Sequence, residues 1–465
     1  MSCSDNSGFA RLRSGIDRFL ATPYYIIATM VLSVISHLLS LELPVYTVFA
    51  LTAIYTAVLG KDLLPITPLF LFCYISPSVR NNPGRNAQSV FYGGTGVYLA
   101  VLAALMAASA LWYVIRNRKQ FFQRKRTLLP GLLALSAAYL LSGIGSNGYG
   151  ASAPRNLLFA GMQVLSILVP YCLLSGGVDW ENARKDYFAW IGFTGGAAVL
   201  VQVLGCYIWQ DVVVDGVIVR EEIYSGWGMY NNMGFVLAMA IPFAFYLATK
   251  YRRGWIGTVI GSVFLVGVLL TCSRTSMLIG TAMYCMCVFL MLHYARNRRH
   301  NTVALVIFLV ISGAALLLFR EPIIRLFSGL LSKGMDPSSR DVFFREGLRI
   351  FKKAPVFGSS FYSRGYVPWD FSTVDTLSAL IPPRWHNTLL QLLVSCGLVG
   401  VCAYSFHRIQ TLQLLCKGFT KEKTFIGCAM GVLLLCSLLD CHFFNIGPAL
   451  FYSAALAFGE YLPKS

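Results

Sequence analysis

Apolar and polar positions alternate on a long scale along this chain. Apolar segments recur at about 24–41, 43–60, 63–79, 92–115, 127–144, 155–176, 187–209, 230–249, 255–273, 275–295, 302–320, 386–406, 424–440 and 444–462, mostly joined by short connectors. Each is close to the roughly 17–25 residues that carry a helix across a bilayer. The pattern predicts an all-α polytopic membrane protein with about 12–14 transmembrane helices. Pro44, Pro65, Pro68 and Pro77 fall in two of the segments, which are expected to be tilted or broken. One interval breaks the rhythm. From about Arg320 to Trp385 the chain is polar, basic and aromatic. The division expected is a helical bundle over 1–320, a long extracytoplasmic loop over 321–385, and C-terminal helices over 386–465.

The connectors orient the bundle. With the N-terminus inside, RNRKQFFQRKR (116–126), KYRR (250–253), RNRR (296–299) and the 407–423 connector all fall inside. Each is basic, as the positive-inside rule requires. The same threading puts 210–228 and the long loop outside, with both termini cytoplasmic. Arg11, Arg13 and Arg18 precede the first apolar run, which reads as an uncleaved span because no convincing cleavage site follows.

Composition agrees. The chain has 465 residues, of which 56% are hydrophobic and 12% charged. Soluble domains carry about twice that charge fraction. The net charge of +18 is largely explained by orientation, so nucleic acid is not implied; the remainder lies in the long loop and calls for an anionic substrate. Most of the 13 cysteines lie in apolar spans and none is in a CxxC pair, so neither a disulfide framework nor a zinc site is implied. No internal repeat is evident.

Within the long loop, Pro322 to Leu331 reads as a short amphipathic run. A second run starts at Ser338-Ser339, plausible N-caps, and reaches about Lys353. At 100° per residue, Phe343, Phe344, Gly347, Leu348, Ile350 and Phe351 form an apolar face opposite Arg345, Arg349, Lys352 and Lys353. That suits a helix lying on a membrane surface. Arg340 falls on the apolar face, where it needs an anion or a polar pocket. The alternative is a first-turn side chain splayed outward.

The loop ends at Pro382-Pro383-Arg384-Trp385-His386-Asn387, where a helix begins. The positive end of a helix dipole disfavours imidazolium at His386, and a neutral imidazole is what a general base needs. An interfacial histidine without a role is the alternative. Arg274, in CSRTSML, sits between two spans with no loop to solvate it; it either meets an anion or snorkels to headgroups. Asn231 and Asn232 suit sugar hydroxyls or a helix cap. Asp440, His442 and Asn445 form a polar outer hairpin, read as structural. The loop holds no Asp-x-Asp and no cluster of His and carboxylates, so no metal and no cofactor is expected.

Four stretches resemble the O-antigen ligase and polymerase superfamily of bacterial membrane glycosyltransferases. They are MYNNMGFVLAMAIP (229–242), CSRTSML (272–278), SSRDVFFREGLRIFKKAPVFGSSF (338–361) and WHNTLLQLLVSCGLVG (385–400). The third is similar to the family's Arg-containing helix and Pro-x-x-Gly turn, the fourth to its His-Asn-x-x-Leu-Gln…Gly-x-x-Gly signature. The family's Trp after the loop Arg is replaced by Phe343-Phe344.

The resemblance implies a GT-C-like helical fold in the bacterial cytoplasmic membrane. It implies metal-independent, inverting transfer of glycan from undecaprenyl pyrophosphate to a glycan, lipid or protein acceptor at the outer face. His386 would be the base, and Arg340 and Arg274 would bind pyrophosphate. Asn387, Gln391, Asn231, Asn232 and Arg345 are the expected substrate-binding residues. Ligase and polymerase differ only in acceptor, which nothing in the sequence reads. A transporter or flippase of lipid-linked or anionic solutes is the rival, and would want ionisable residues buried in mid-span. A non-catalytic scaffold would leave the loop residues freely mutable.

Overall fold

The computed structural model describes residues 5–78, 93–147, 149–328, 340–362 and 384–461, apart from the side chains of 5–9, 93, 94 and 151. The helices are α1 (Asp5–Leu20), α2 (Pro23–Leu39), α3 (Glu42–Val58), α4 (Ile66–Ile75), α5 (Gly93–Arg116), α6 (Arg118–Gln123), α7 (Leu129–Leu140), α8 (Tyr149–Gly177) and α9 (Tyr187–Trp209). After the strands β1 (Val213–Val214) and β2 (Val217–Ile218) come α10 (Tyr230–Lys250), α11 (Trp255–Leu270), α12 (Arg274–Tyr294), α13 (Arg298–Leu318) and α14 (Arg320–Leu326). The chain ends with α15 (Arg340–Phe351), α16 (Thr388–Cys416), α17 (Lys421–Leu439) and α18 (Ile446–Tyr461).

Every apolar segment read from the sequence holds a helix, and the fold is all-α and polytopic. Among the described residues, eight helices are long and apolar enough to cross a membrane. The pair α1–α2, bent by 74°, would make a ninth. The break falls at Pro23, in the first turn of α2, where its missing N–H costs nothing. The count of 12–14 includes shorter apolar helices, namely α3, α4, α7 and α11. Of the expected amphipathic runs, the first is α14; its continuation to Leu331 and the caps Ser338-Ser339 lie outside the described residues.

The chain forms two compact units. One comprises residues 1–124, 173–328 and 461–465; the other comprises 125–172 and 329–460.

In the first unit α10 is the central element, buried at nearly every position from Met233 to Thr249 and packed against α9, α11 and α12. Gly257 of α11 lies against the carbonyl of Ala244, so no side chain fits there and the two helices pack closely. The basic connectors also bind helix ends. Arg116 donates to the Val58 carbonyl and Arg124 to that of Val178, capping helix C-terminal ends. Asp186, 1% exposed, is paired with Arg184 at 3.2 Å and Lys250 at 3.3 Å. The 210–228 connector folds as a two-stranded hairpin, turned at Asp215-Gly216 with both residues at positive φ, a natural use of Asp-Gly.

In the second unit α16 is broken at Gly397 (φ 63°, ψ −156°), so the span expected as one helix is two segments. The segment Pro355–Ser360 runs beside the break. Leu398 N–H donates to Pro355 O at 2.8 Å, Val399 to Val356 O at 3.1 Å and Ser359 to Val394 O at 2.8 Å. A side chain on Gly397 would strike the backbone of Val356 and Gly358, and one on Gly358 that of Ser395. The Pro-x-x-Gly turn and the Gly-x-x-Gly sequence are thus the two halves of one backbone joint. Arg408 lies on the second segment of α16. It donates to Tyr452 Oη at 2.6 Å, and the rings of Tyr404, Phe443 and Tyr452 surround its guanidinium at 4.4, 4.7 and 4.6 Å. That aromatic cage stabilises a cation within a span.

Candidate active site

The turn Trp385–Asn387 is held from three directions. Trp385, 2% exposed, joins Phe343, Ile350, Leu390 and Val394 in a small core. Its N–H donates to Gln391 Oε1 at 3.1 Å. Asn387 caps α16 by accepting from Leu390 N–H at 2.9 Å, and its own amide donates to Leu438 O at 2.7 Å. His386, caught between these anchors, has φ 49°, a left-handed conformation uncommon outside glycine. Its side chain is thereby turned out, 43% exposed, while the preceding Trp385 is buried.

His386 Nδ1 stands 3.4 Å from Asp440 Oδ1. Asp440 follows α17, and its Oδ1 also accepts from Cys441 N–H at 2.7 Å. On the other oxygen, His442 Nε2 lies 4.0 Å from Oδ2. Burial alone would raise the Asp440 carboxyl. It is outweighed by the His386 hydrogen bond, the charges of His442 and His386 and the Cys441 N–H, which hold the carboxyl well below the usual range. His442, in the turn His442–Phe444, is pushed down from the ordinary histidine value by burial; Asp440 opposes this, while Arg384 and His386 add to it. With Nδ1 directed at a carboxylate, the tautomer that donates from Nδ1 leaves Nε2 as the acceptor on the exposed side. A histidine oriented in this way by a third group is the arrangement of a general base.

The helix α15 completes the wall. Its apolar face packs on α16, with Gly347 against Leu390. Phe343, Gly347 and Ile350 are buried there, whereas Phe344 is 53% exposed. Half of the face read as membrane-directed, Phe343, Gly347 and Ile350, is therefore covered by protein. The Phe343 ring lies 5.3 Å from that of His386. Arg340, half-buried, begins α15 three residues before Phe343 and so on the same face, about 4.5 Å further along the axis. Arg384 donates to Phe444 O at 3.3 Å and Asn445 Oδ1 at 3.2 Å, and lies over the Phe159 ring. Burial pushes the Tyr362 hydroxyl up to about 12, with Arg155 and Arg384 pulling against it.

Three expected substrate ligands in this unit have other engagements. Gln391 is 0% exposed, its oxygen on Trp385 N–H and its amide on Ser395 Oγ at 3.1 Å. Asn387 is used in the cap and the Leu438 contact. Arg345 is 75% exposed and pairs with Asp341 at 2.8 Å, one turn away on its own helix. Gln391 and Asn387 hold the turn, and Arg345 points away from the buried face.

Arg274, Asn231 and Asn232 lie in the first unit. Arg274 opens α12, whose N-terminus lies beside that of α10: Ser273 Oγ donates to Asn231 Oδ1 at 2.9 Å and lies 3.0 Å from Ser276 Oγ. Gly234 permits this approach, facing Thr271 and Ser276. Asn231 is thus tied to Ser273, and Asn232 lies against Gly228. Two helix N-termini side by side favour an anion. Arg220 joins them, its guanidinium 5.2 Å from the Tyr230 ring centroid and paired with Glu221 at 3.0 Å.

Asp440 is the residue that sequence reading set aside as structural. One signal for it was present: it ends the span that follows His386's own, so the same threading puts both at one face. Among the described residues, no three His, Cys, Asp or Glu side chains are grouped to hold a metal ion.

No curated protein matches the chain. Residues 259–405, about a third of its length, match the family model described as O-antigen ligase. The matched stretch includes Arg274, Arg340 and His386 and stops short of Asp440. From α11 to the second segment of α16 this multi-pass helical chain is therefore similar to the O-antigen ligase superfamily.

Proposed function

We propose that the protein is a membrane glycosyltransferase of the O-antigen ligase or polymerase type, acting on polyprenyl-pyrophosphate-linked glycan at the outer face of the cytoplasmic membrane. The observation that carries this reading is the contact of His386 Nδ1 with Asp440 on a side chain 43% exposed, which leaves Nε2 as the acceptor. In the reaction, Nε2 takes the proton of the acceptor hydroxyl as its oxygen attacks the anomeric carbon. The bond from that carbon to the pyrophosphate breaks, with inversion, and polyprenyl pyrophosphate departs with the bonding pair. Charge grows on the leaving oxygen, and fixed cations placed there stabilise it more in the transition state than in the ground state. Arg340, at the positive N-terminal end of α15 and on its His386-facing side, suits that task. Arg274 is proposed as an anion-binding residue in its own unit, supported by its own pair of helix N-termini.

The test is His386→Ala in native membranes. Glycan transfer should cease while the protein remains inserted at wild-type level; retained transfer would end the reading. The acceptor is read from the surface glycan of a strain lacking the gene. Single repeats still attached indicate a polymerase, whereas polymer left unattached indicates a ligase. Loss of donor transport without loss of transfer in isolated, opened membranes would instead favour the flippase.

A further inference from the structure

We propose that His442 is a positioning residue for the transfer reaction: it engages the far oxygen of Asp440 and so keeps the near oxygen turned toward His386. The proposal rests on the reading of His386 as base. A carboxylate turns about its last torsion in a broad, roughly two-fold well, so contacts at one oxygen alone leave its plane loosely set. In Asp440 both oxygens are addressed. Oδ1 faces Cys441 N–H at 2.7 Å and His386 Nδ1 at 3.4 Å, and Oδ2 faces His442 Nε2 at 4.0 Å.

The two histidines differ in the way this division of labour requires. His386 is 43% exposed and reaches solvent; His442 is 3% exposed and does not. The ring of His442 is carried by a short turn that cannot drift. Phe443 and Phe444 on either side of its exit are buried, against Tyr404 and Tyr452 in one case and Tyr139 and Phe361 in the other. Asn445 N–H closes the turn onto His442 O at 3.0 Å. A buried histidine beside Arg384 and His386, with Nε2 4.0 Å from Asp440 Oδ2, is better suited to orienting the carboxylate electrostatically than to competing for the substrate proton. The role is thus to set the direction in which Asp440 holds His386, and through it the aim of Nε2. Misplacement of a reacting group by about 1 Å can cost ~100-fold in rate.

The experiment compares His442→Phe, which keeps a flat ring but has no N–H, with His442→Gln, whose amide nitrogen lies near the position of Nε2. Wild type, both variants and His386→Ala are assayed as full-length protein. The assay uses membranes from a strain lacking the gene, which supply the acceptor, and the polyprenyl-pyrophosphate-linked glycan that this strain accumulates. Thermal unfolding of each variant in detergent is measured alongside. The expected result is His386→Ala inactive, His442→Phe lowered about tenfold in kcat with KM for the donor unchanged, and His442→Gln restored to within about threefold of wild type. Wild-type kcat in His442→Phe overturns the proposal. So does an equal loss in the two His442 variants, which would mean a packing role only. Activity in His386→Ala overturns the underlying reading of the base instead, and is thereby distinguished.

Discussion

His386 and Asp440 flank different helices, 54 residues apart in sequence, and meet at 3.4 Å because Asn387 donates to the carbonyl of Leu438 at 2.7 Å, two residues before the carboxylate. Asp440→Asn removes the charge and keeps the shape. Transfer should fall by at least about 100-fold, as when a triad aspartate is amidated, with the protein still folded. The initial rate of glycan transfer in membranes, normalised to inserted protein, measures it.

Arg340 and Arg345 share a helix and should behave oppositely. Arg340→Ala should lower kcat/KM by about 10-fold or more, since it removes a cation on the His386-facing side. Arg345→Ala should leave transfer within about twofold, because the side chain is solvated and its pair with Asp341 is a surface contact. A steady-state comparison of the two variants decides the matter.

Gln391 tests whether the turn or the substrate needs it. Gln391→Leu leaves Trp385 N–H without its acceptor in a buried place, at a cost of about 1–3 kcal/mol. Thermal stability and kcat should fall together while KM for the donor stays constant. A rise in KM with stability unchanged would restore the substrate role read from sequence.

The joint at Gly397 is open to a blunt test. Gly397→Ala demands positive φ of an ordinary residue and drives a methyl group into the backbone of Val356 and Gly358. The loss should be at least about 2 kcal/mol, seen as a lower unfolding temperature and poor accumulation in membranes.

Asp186 gives a stability test with a pH sign. Burial by itself would raise its carboxyl, but the hydrogen bonds from Arg184 and Tyr251 and the charge of Lys250 lower it below the ordinary value. A lowered folded value means that the unfolded chain binds the proton more readily. The contribution is therefore complete above the ordinary carboxylate range near pH 4 and is lost as pH falls through the folded value. Asp186→Asn should be less stable than wild type at pH 7, with the gap closing only in that acid range. Arg184 and Lys250 are partly exposed, so the neutral-pH difference should be about 1–2 kcal/mol. Unfolding curves in detergent across pH measure it.

The spans were legible in the sequence because hydropathy over some twenty residues reports bilayer crossing almost directly. Arg340 and His386 were legible as polar side chains where the local pattern wanted none. Asp440 was not, since an acidic residue at a span end looks the same whether it faces water or a histidine. The roles of Asn387 and Gln391 were invisible for a related reason: an amide beside a histidine suggests a ligand, and only coordinates reveal that its bonds are already committed. Nor could hydropathy see the break in α16. Gly397 is apolar enough to pass as part of a helix, and what interrupts the helix there is a turn forty residues upstream.

That turn and break have an evolutionary consequence. The segment bearing Arg340 and the one bearing His386 hang from the same clasp, so its two halves must change together: a larger residue accepted at Gly358 or Gly397 would have to be matched by a change across the joint.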